Sequence, residues 1–145
     1  MNISYRWLKE YITIDNTAEE VAAFLTQIGL EVGSMEEVET VKGGLRGLVI
    51  GEVLTCEKHP DSDHLSKTTV NVGGEVLPIV CGAPNVAAGQ KVIVAPVGTV
   101  MPDGLEIKKA KLRGQLSCGM ICSQRELGLS DNHEGIMILD ATLST

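Results

Sequence analysis

The sequence has 145 residues, enough for one domain with a small appendage. Apolar residues make up 43% and charged residues 21%, as in ordinary soluble globular chains, and no apolar run approaches the roughly 18 residues of a membrane span. The net charge of −7 argues against a broad polyanion-binding surface, but its distribution is uneven: residues 1–40 hold two cations and eight acids, residues 41–145 ten cations and eleven acids.

In chain order, the opening MNISYRWLKE has no apolar core of signal-peptide length, so the sequence reads as cytoplasmic. Ser4 caps a short helix with Trp7, Leu8 and Tyr11 on one face. A second helix is better marked. Thr17 and Glu20 form a capping box, Val21, Phe24, Leu25 and Ile28 recur at helical spacing, and Gly29 stops it. LEVGSMEEVE alternates weakly and predicts a strand. Forty residues cannot bury a core for two helices unaided, so this block is expected to pack on the second segment, on a partner or on further chain. All four aromatic rings (Tyr5, Trp7, Tyr11, Phe24) lie here, and fourteen of the sixteen glycines lie at or after Gly43. Charge, rings and glycine therefore agree on a boundary: an N-terminal α/β segment over 1–40 and a second domain over 41–145.

The second part reads as mainly β. LVIGEVLTCE, LSKTTVNV, VLPIV, QKVIVAPV, LEIKKAKL and CGMIC are short Val/Ile/Leu/Thr-rich runs separated by the turn signals HPDSD, NVGGE, APNVAAG, MPDG and RGQLS. Five or six such strands predict a small barrel, which removes free sheet edges by closure. A short helix is expected after Ser123, ended by Gly128.

Candidate sites follow from residue type and spacing. His59-Pro60-Asp61-Ser62-Asp63-His64, with Cys56 three residues upstream, has ligand-like spacing, but no second pair completes a tetrahedral set. It reads as a polar turn in which Asp61 and Asp63 bond their own backbone. Cys118 and Cys122 are one residue too far apart for a redox pair. All four cysteines read as reduced, buried thiols. CGAPNVAAGQK lacks the phosphate-loop spacing and reads as a turn, with Asn85 and Gly89 at positive φ and Asn85 able to reach a ligand. KKAKLR carries four cations and no acid. As a strand it puts Lys109, Lys111 and Arg113 on one face, a phosphate-binding stripe that Lys67 and Lys91 extend. With no ring except imidazole in this part, RNA contact rests on phosphates, shape and small polar groups. No nucleophile–base set, paired-carboxylate pocket or nucleotide loop is present, so no catalytic residue is assigned.

GEVLTCEKHPDSDHL, VNVGG, IVCGAPNV, KVIVAPVGTVMPDG and IKKAKLRGQLSCGMICSQRELGL, in that order, resemble the tRNA-binding OB-fold family found on aminoacyl-tRNA synthetases and as free-standing proteins. CGAPNV, AKLRG and the leading WLKEYI…GLEV block are most similar to the bacterial phenylalanyl-tRNA synthetase β subunits. The resemblance implies a five-stranded OB-fold barrel and an RNA face at Lys108, Lys109, Lys111, Arg113, Ser117, Met120 and Ser123, with Asn85 nearby. It implies tRNA as partner, neither DNA nor membrane, and an α subunit in an (αβ)₂ enzyme that attaches phenylalanine to tRNA. ATP and Mg²⁺ serve that whole enzyme, and no cofactor is expected in this stretch. It also implies that later chain completes the first 40 residues. Two other functions fit the residues: a spacer within the synthetase with little RNA contact, and a free-standing dimeric tRNA-binding protein.

Overall fold

A computed structural model describes residues 1–41 and 43–145. The chain divides into two compact units, Met1–Val38 and Glu39–Thr145.

The first unit holds two helices. Helix α1 (Tyr5–Leu8) starts at Ser4, whose hydroxyl accepts the Trp7 N–H at 3.3 Å. Helix α2 (Ala18–Gln27) opens on the capping box the spacing predicts: Thr17 Oγ1 accepts the Glu20 N–H at 3.2 Å and Glu20 Oε2 accepts the Thr17 N–H at 2.9 Å. The Thr17 N–H, then the Asn16 side-chain amide, hold the Glu20 carboxyl below its ordinary pKa. Gly29, at φ +93°, ends the helix in the left-handed conformation that glycine adopts without a steric cost. Neither helix contains a buried residue, and Trp7, Tyr11, Phe24 and Ile28 are more than half exposed. The strand expected in LEVGSMEEVE does not form: residues 30–39 have no regular structure. The weak alternation there finds no strand to pair with, and an isolated extended segment leaves its backbone groups to water.

The second unit is mainly β, a nearly closed, OB-like barrel of antiparallel strands. Its strands are β1 (Val49–Lys58), β2 (Ser66–Asn71), β3 (Val76–Cys81), β4 (Lys91–Pro96), β5 (Ala110–Leu112), β6 (Gln115–Ser117), β7 (Gly119–Ile121) and β8 (Ile138–Leu139). The main sheet runs β3-β2-β1-β4-β7, with β8 also on β4, while β5 and β6 form a separate hairpin. Strand β3 meets the far end of this path: the Cys118 N–H donates to Pro78 O at 2.7 Å, and the Val80 N–H donates to Ser117 Oγ at 3.1 Å. Pro78 suits that seam, because a proline has no N–H to leave unpaired on the side where its carbonyl points.

Alternation in β1, β2 and β4 sends Val53, Val70, Val92 and Val94 inward, where each is fully buried around Ile79. A second cluster gathers Ala95, Met101, Ile107, Cys122 and Leu127. The core is wholly aliphatic and sulfur-containing, and each such side chain buried contributes about 1.5–3 kcal/mol. Three expectations need correction. The LEIKKAKL run yields only the three residues of β5, because strand pairing begins where Ala110 faces Ser117. The RGQLS turn signal hides β6. After Ser123 there is one capped turn rather than a helix: Glu126 Oε2 accepts from the Ser123 N–H at 2.6 Å, the Leu127 N–H returns to Ser123 O, and Gly128 at φ +70° ends it.

Gly51 marks the tightest point of the sheet. A Cβ there would lie 2.7 Å from Val70 Cγ1 and 2.8 Å from Val94 Cγ2. Gly51→Ala should therefore cost about 1–3 kcal/mol of stability, read as an earlier urea midpoint by far-UV circular dichroism. In α2, the Glu20 contribution is present above the ordinary carboxylate pKa and is lost as pH falls through the lowered value. Glu20→Gln should remove that acid-dependent loss of helical signal.

Candidate nucleic-acid interface

The basic run begins at an anchor. Ile107 is buried, its N–H donating to Thr99 O and its carbonyl accepting from Gly98 N–H, both at 2.8 Å. Beyond it the chain surfaces, and Lys108, Lys109 and Lys111 are all exposed. Lys108 Nζ lies 3.5 Å from Glu106 Oε2, on a pair whose side chains stay 75% and 54% exposed. Such an exposed pair holds little free energy, roughly 0–1 kcal/mol, so it opens readily for another anion. Among the described residues, neither Lys109 nor Lys111 forms an ion pair.

Arg113 departs from the expected face. It occupies the two-residue turn of the β5–β6 hairpin, where Arg113 at φ +48° and Gly114 at φ +83° both take the left-handed conformation. That turn twists with the strands it joins, and it breaks the alternation that would align Arg113 with Lys109 and Lys111. The Arg113 Nη1 donates instead to Asp61 O at 2.8 Å. Lys91 leaves the stripe too: its side chain is only 14% exposed and its Nζ lies 2.9 Å from Glu52 Oε2. Lys67 sits on β2, opposite Glu57 of β1.

The remaining candidates have partners inside the fold. Ser117 is buried, its Oγ accepting from Val80 N–H and donating to Gly119 O at 3.1 Å. Ser123 is buried, its Oγ donating to Glu126 Oε2 at 2.7 Å. Met120 is half-buried against the second core cluster. Asn85 is not at positive φ; its Nδ2 donates to Ile136 O at 3.0 Å and its Oδ1 accepts from Ile136 N–H at 2.9 Å, clasping the chain just before β8. Gly135 is needed beside it, since a Cβ there would collide with the Asn85 amide.

The 59–65 turn also differs from expectation. Its Asp side chains do not bond the local backbone as predicted. His59 does: it is 3% exposed, its Nδ1 accepts the Asp61 N–H at 3.0 Å, and its Nε2 faces Leu112 O at 3.2 Å. These links to the hairpin are missed by sequence reasoning, because a histidine in a charged turn gives no sign of being buried. The cysteines are all free; Cys81 and Cys122 are buried, but Cys56 and Cys118 are only half-buried, against the expectation of four buried thiols. Burial pushes Cys81 up and Cys122 up to about 12, so both stay protonated thiols at neutral pH.

Residues 48–145 match the family model described as "Putative tRNA binding domain". The phenylalanine–tRNA ligase β subunit of Bacteroides thetaiotaomicron is 64% identical over 145 residues, which is 97% of this chain and 18% of that protein. The same subunit of Porphyromonas gingivalis is 59% identical, across 96% of this chain and 18% of that protein. This chain thus spans under a fifth of the length of the curated relatives it matches. Among solved structures, the C-terminal domain of Plasmodium vivax p43 overlays with a TM-score of 0.41 at 28% identity, covering 51% of this chain and 43% of that one.

Replacing Asn85 with Ala should cost about 1–3 kcal/mol, the range for leaving buried backbone groups unpaired, and should speed hydrogen exchange at the Ile136 amide before other core amides respond.

Proposed function

Because this chain belongs to the tRNA-binding domain family, we propose that residues 41–145 dock on tRNA as the RNA-binding part of a phenylalanine–tRNA ligase β subunit. Lys108, Lys109 and Lys111 supply phosphate contacts. Arg113 and Ser117 hold the hairpin that presents Lys111, while Met120, Ser123 and Asn85 are engaged within the barrel. The observation that carries this reading is the local cluster: Lys108, Lys109 and Lys111 stand exposed within four residues that contain no acid, and neither Lys109 nor Lys111 forms an ion pair among the described residues. The barrel contains no Phe, Tyr or Trp, so it lacks the rings on which single strands usually stack their bases. Contact therefore runs through the sugar–phosphate backbone, which positions an RNA without reading its sequence.

In this reading the whole protein joins phenylalanine to its tRNA at the expense of ATP, with Mg²⁺, in the cytoplasm. It pairs with an α subunit in an (αβ)₂ assembly, and the chemistry lies outside these 145 residues. The relatives that match the chain through its first 40 residues carry the ligase β-subunit name, which favours this over a free-standing dimer. The spacer reading draws on the commitments of Lys91 to Glu52 and of Arg113 to the Asp61 carbonyl.

A salt titration separates the two. Binding of tRNA to the intact chain should weaken linearly in log K against log salt, and Lys109→Ala with Lys111→Ala should reduce the slope by about 2, one counterion-release contribution per lost phosphate contact. Absence of binding at low salt would leave the spacer.

A further inference from the structure

We infer that His59 and Arg113 are positioning residues, which fasten the β5–β6 hairpin to the 59–65 turn so that Lys109 and Lys111 face RNA in a fixed arrangement. This rests on the docking reading above and concerns the same surface.

The fastening is a closed circuit of backbone and side-chain bonds. Asp61 is held at both ends of its peptide groups: its N–H donates to His59 Nδ1 at 3.0 Å and its carbonyl accepts from Arg113 Nη1 at 2.8 Å. The other imidazole nitrogen reaches Leu112 O at 3.2 Å, next to Arg113. Since Nδ1 accepts, the ring proton sits on Nε2 and is donated to that carbonyl. Two segments more than 50 residues apart are thus joined by two bonds at the hairpin tip.

The hairpin needs such support. Each strand is three residues long, and Leu112 and Leu116 remain partly exposed, so little apolar burial steadies it. Short two-stranded ribbons are marginal on their own. Its base is fixed by Ser117 at the barrel seam; its tip is fixed by His59 and Arg113.

Arginine is also an unfavourable choice for its backbone. The first position of this turn favours Asn, Asp or Gly, and Arg113 holds φ +48° there. The side-chain bond to Asp61 offsets that cost. With its Nη1 engaged on the Asp61 carbonyl of its own chain, Arg113 is not counted among the phosphate contacts. His59, with its ring 3% exposed, cannot touch RNA at all.

Positioning and phosphate contact leave different marks on a salt titration. Losing a phosphate contact lowers the slope by about 0.9. Losing a fastening leaves the bound contacts unchanged but makes binding order the hairpin first, so affinity falls at every salt concentration with the slope preserved. The intact chain and its His59→Ala, Arg113→Ala and doubly substituted forms are titrated with unfractionated tRNA at several salt concentrations. Hydrogen exchange is followed at Gly114 and Gln115, and at Val92 and Val94 to verify the barrel. Each single substitution should weaken binding about tenfold, in the range expected for one such hydrogen bond, with parallel slopes. The double form should lose less than the two combined, because both bonds hold one element. Exchange should quicken at the hairpin and not at the core. Arg113 is exposed, so its substitution keeps the test open even where His59→Ala unfolds the chain. A slope reduced by about 0.9 in Arg113→Ala would make it a phosphate ligand and overturn the inference, as would parental affinity in both single forms. Failure of the unsubstituted chain to bind would instead overturn the docking reading, and the positioning role with it.

Discussion

Closure of the barrel between β3 and the β6–β7 segment governs what the rest of the second unit can do. Without it, β3 and β7 would be open edges, with rows of unpaired backbone groups available to any other strand. The joint uses one backbone bond, Cys118 N–H to Pro78 O, and one side-chain bond, Ser117 Oγ to Val80 N–H. A buried N–H left without its acceptor costs about 1–3 kcal/mol, so Ser117 matters to the fold well beyond its size. The same serine ends β6. Closing the barrel therefore also sets where the basic hairpin leaves its surface, and the fold and the proposed interface share one attachment.

In the proposed docking, net negative charge is compatible with a polyanion-facing surface because the cations are committed unequally. Lys91 is drawn against Glu52 where little solvent reaches, and Arg113 is committed to a carbonyl. Lys108 keeps a loose, exposed partner in Glu106. Attraction between exposed charges is heavily damped by water and salt, so the global sum of −7 exerts little influence a Debye length of about 8–10 Å away. In that proposal, an approaching phosphate meets the local pair Lys109 and Lys111.

Local signals were legible in the sequence and distant ones were not. The capping box at Thr17 and Glu20, and the stop at Gly29, depend on residues a few positions apart, and both were readable. So was the mainly β barrel, because its inward valines repeat at period two between clear turn signals, and the family resemblance pointed the same way. The basic stripe was misread at Arg113, since the period was carried through a turn that reverses the chain. Strand β6 was hidden inside that turn signal, and β8, two residues long, had no pattern to show. The inward roles of Asn85, Ser117 and His59 depend on partners 37 to 53 residues away, and no spacing rule reports such bonds.

The distribution of rings has a practical consequence for anyone following this molecule optically. Trp7 and both tyrosines lie in Met1–Val38, and the barrel holds none of the three. Intrinsic emission and near-ultraviolet absorbance therefore originate entirely in the helical unit. The barrel could melt while the tryptophan signal stayed flat, and a single apparent transition seen by fluorescence would describe the smaller unit alone.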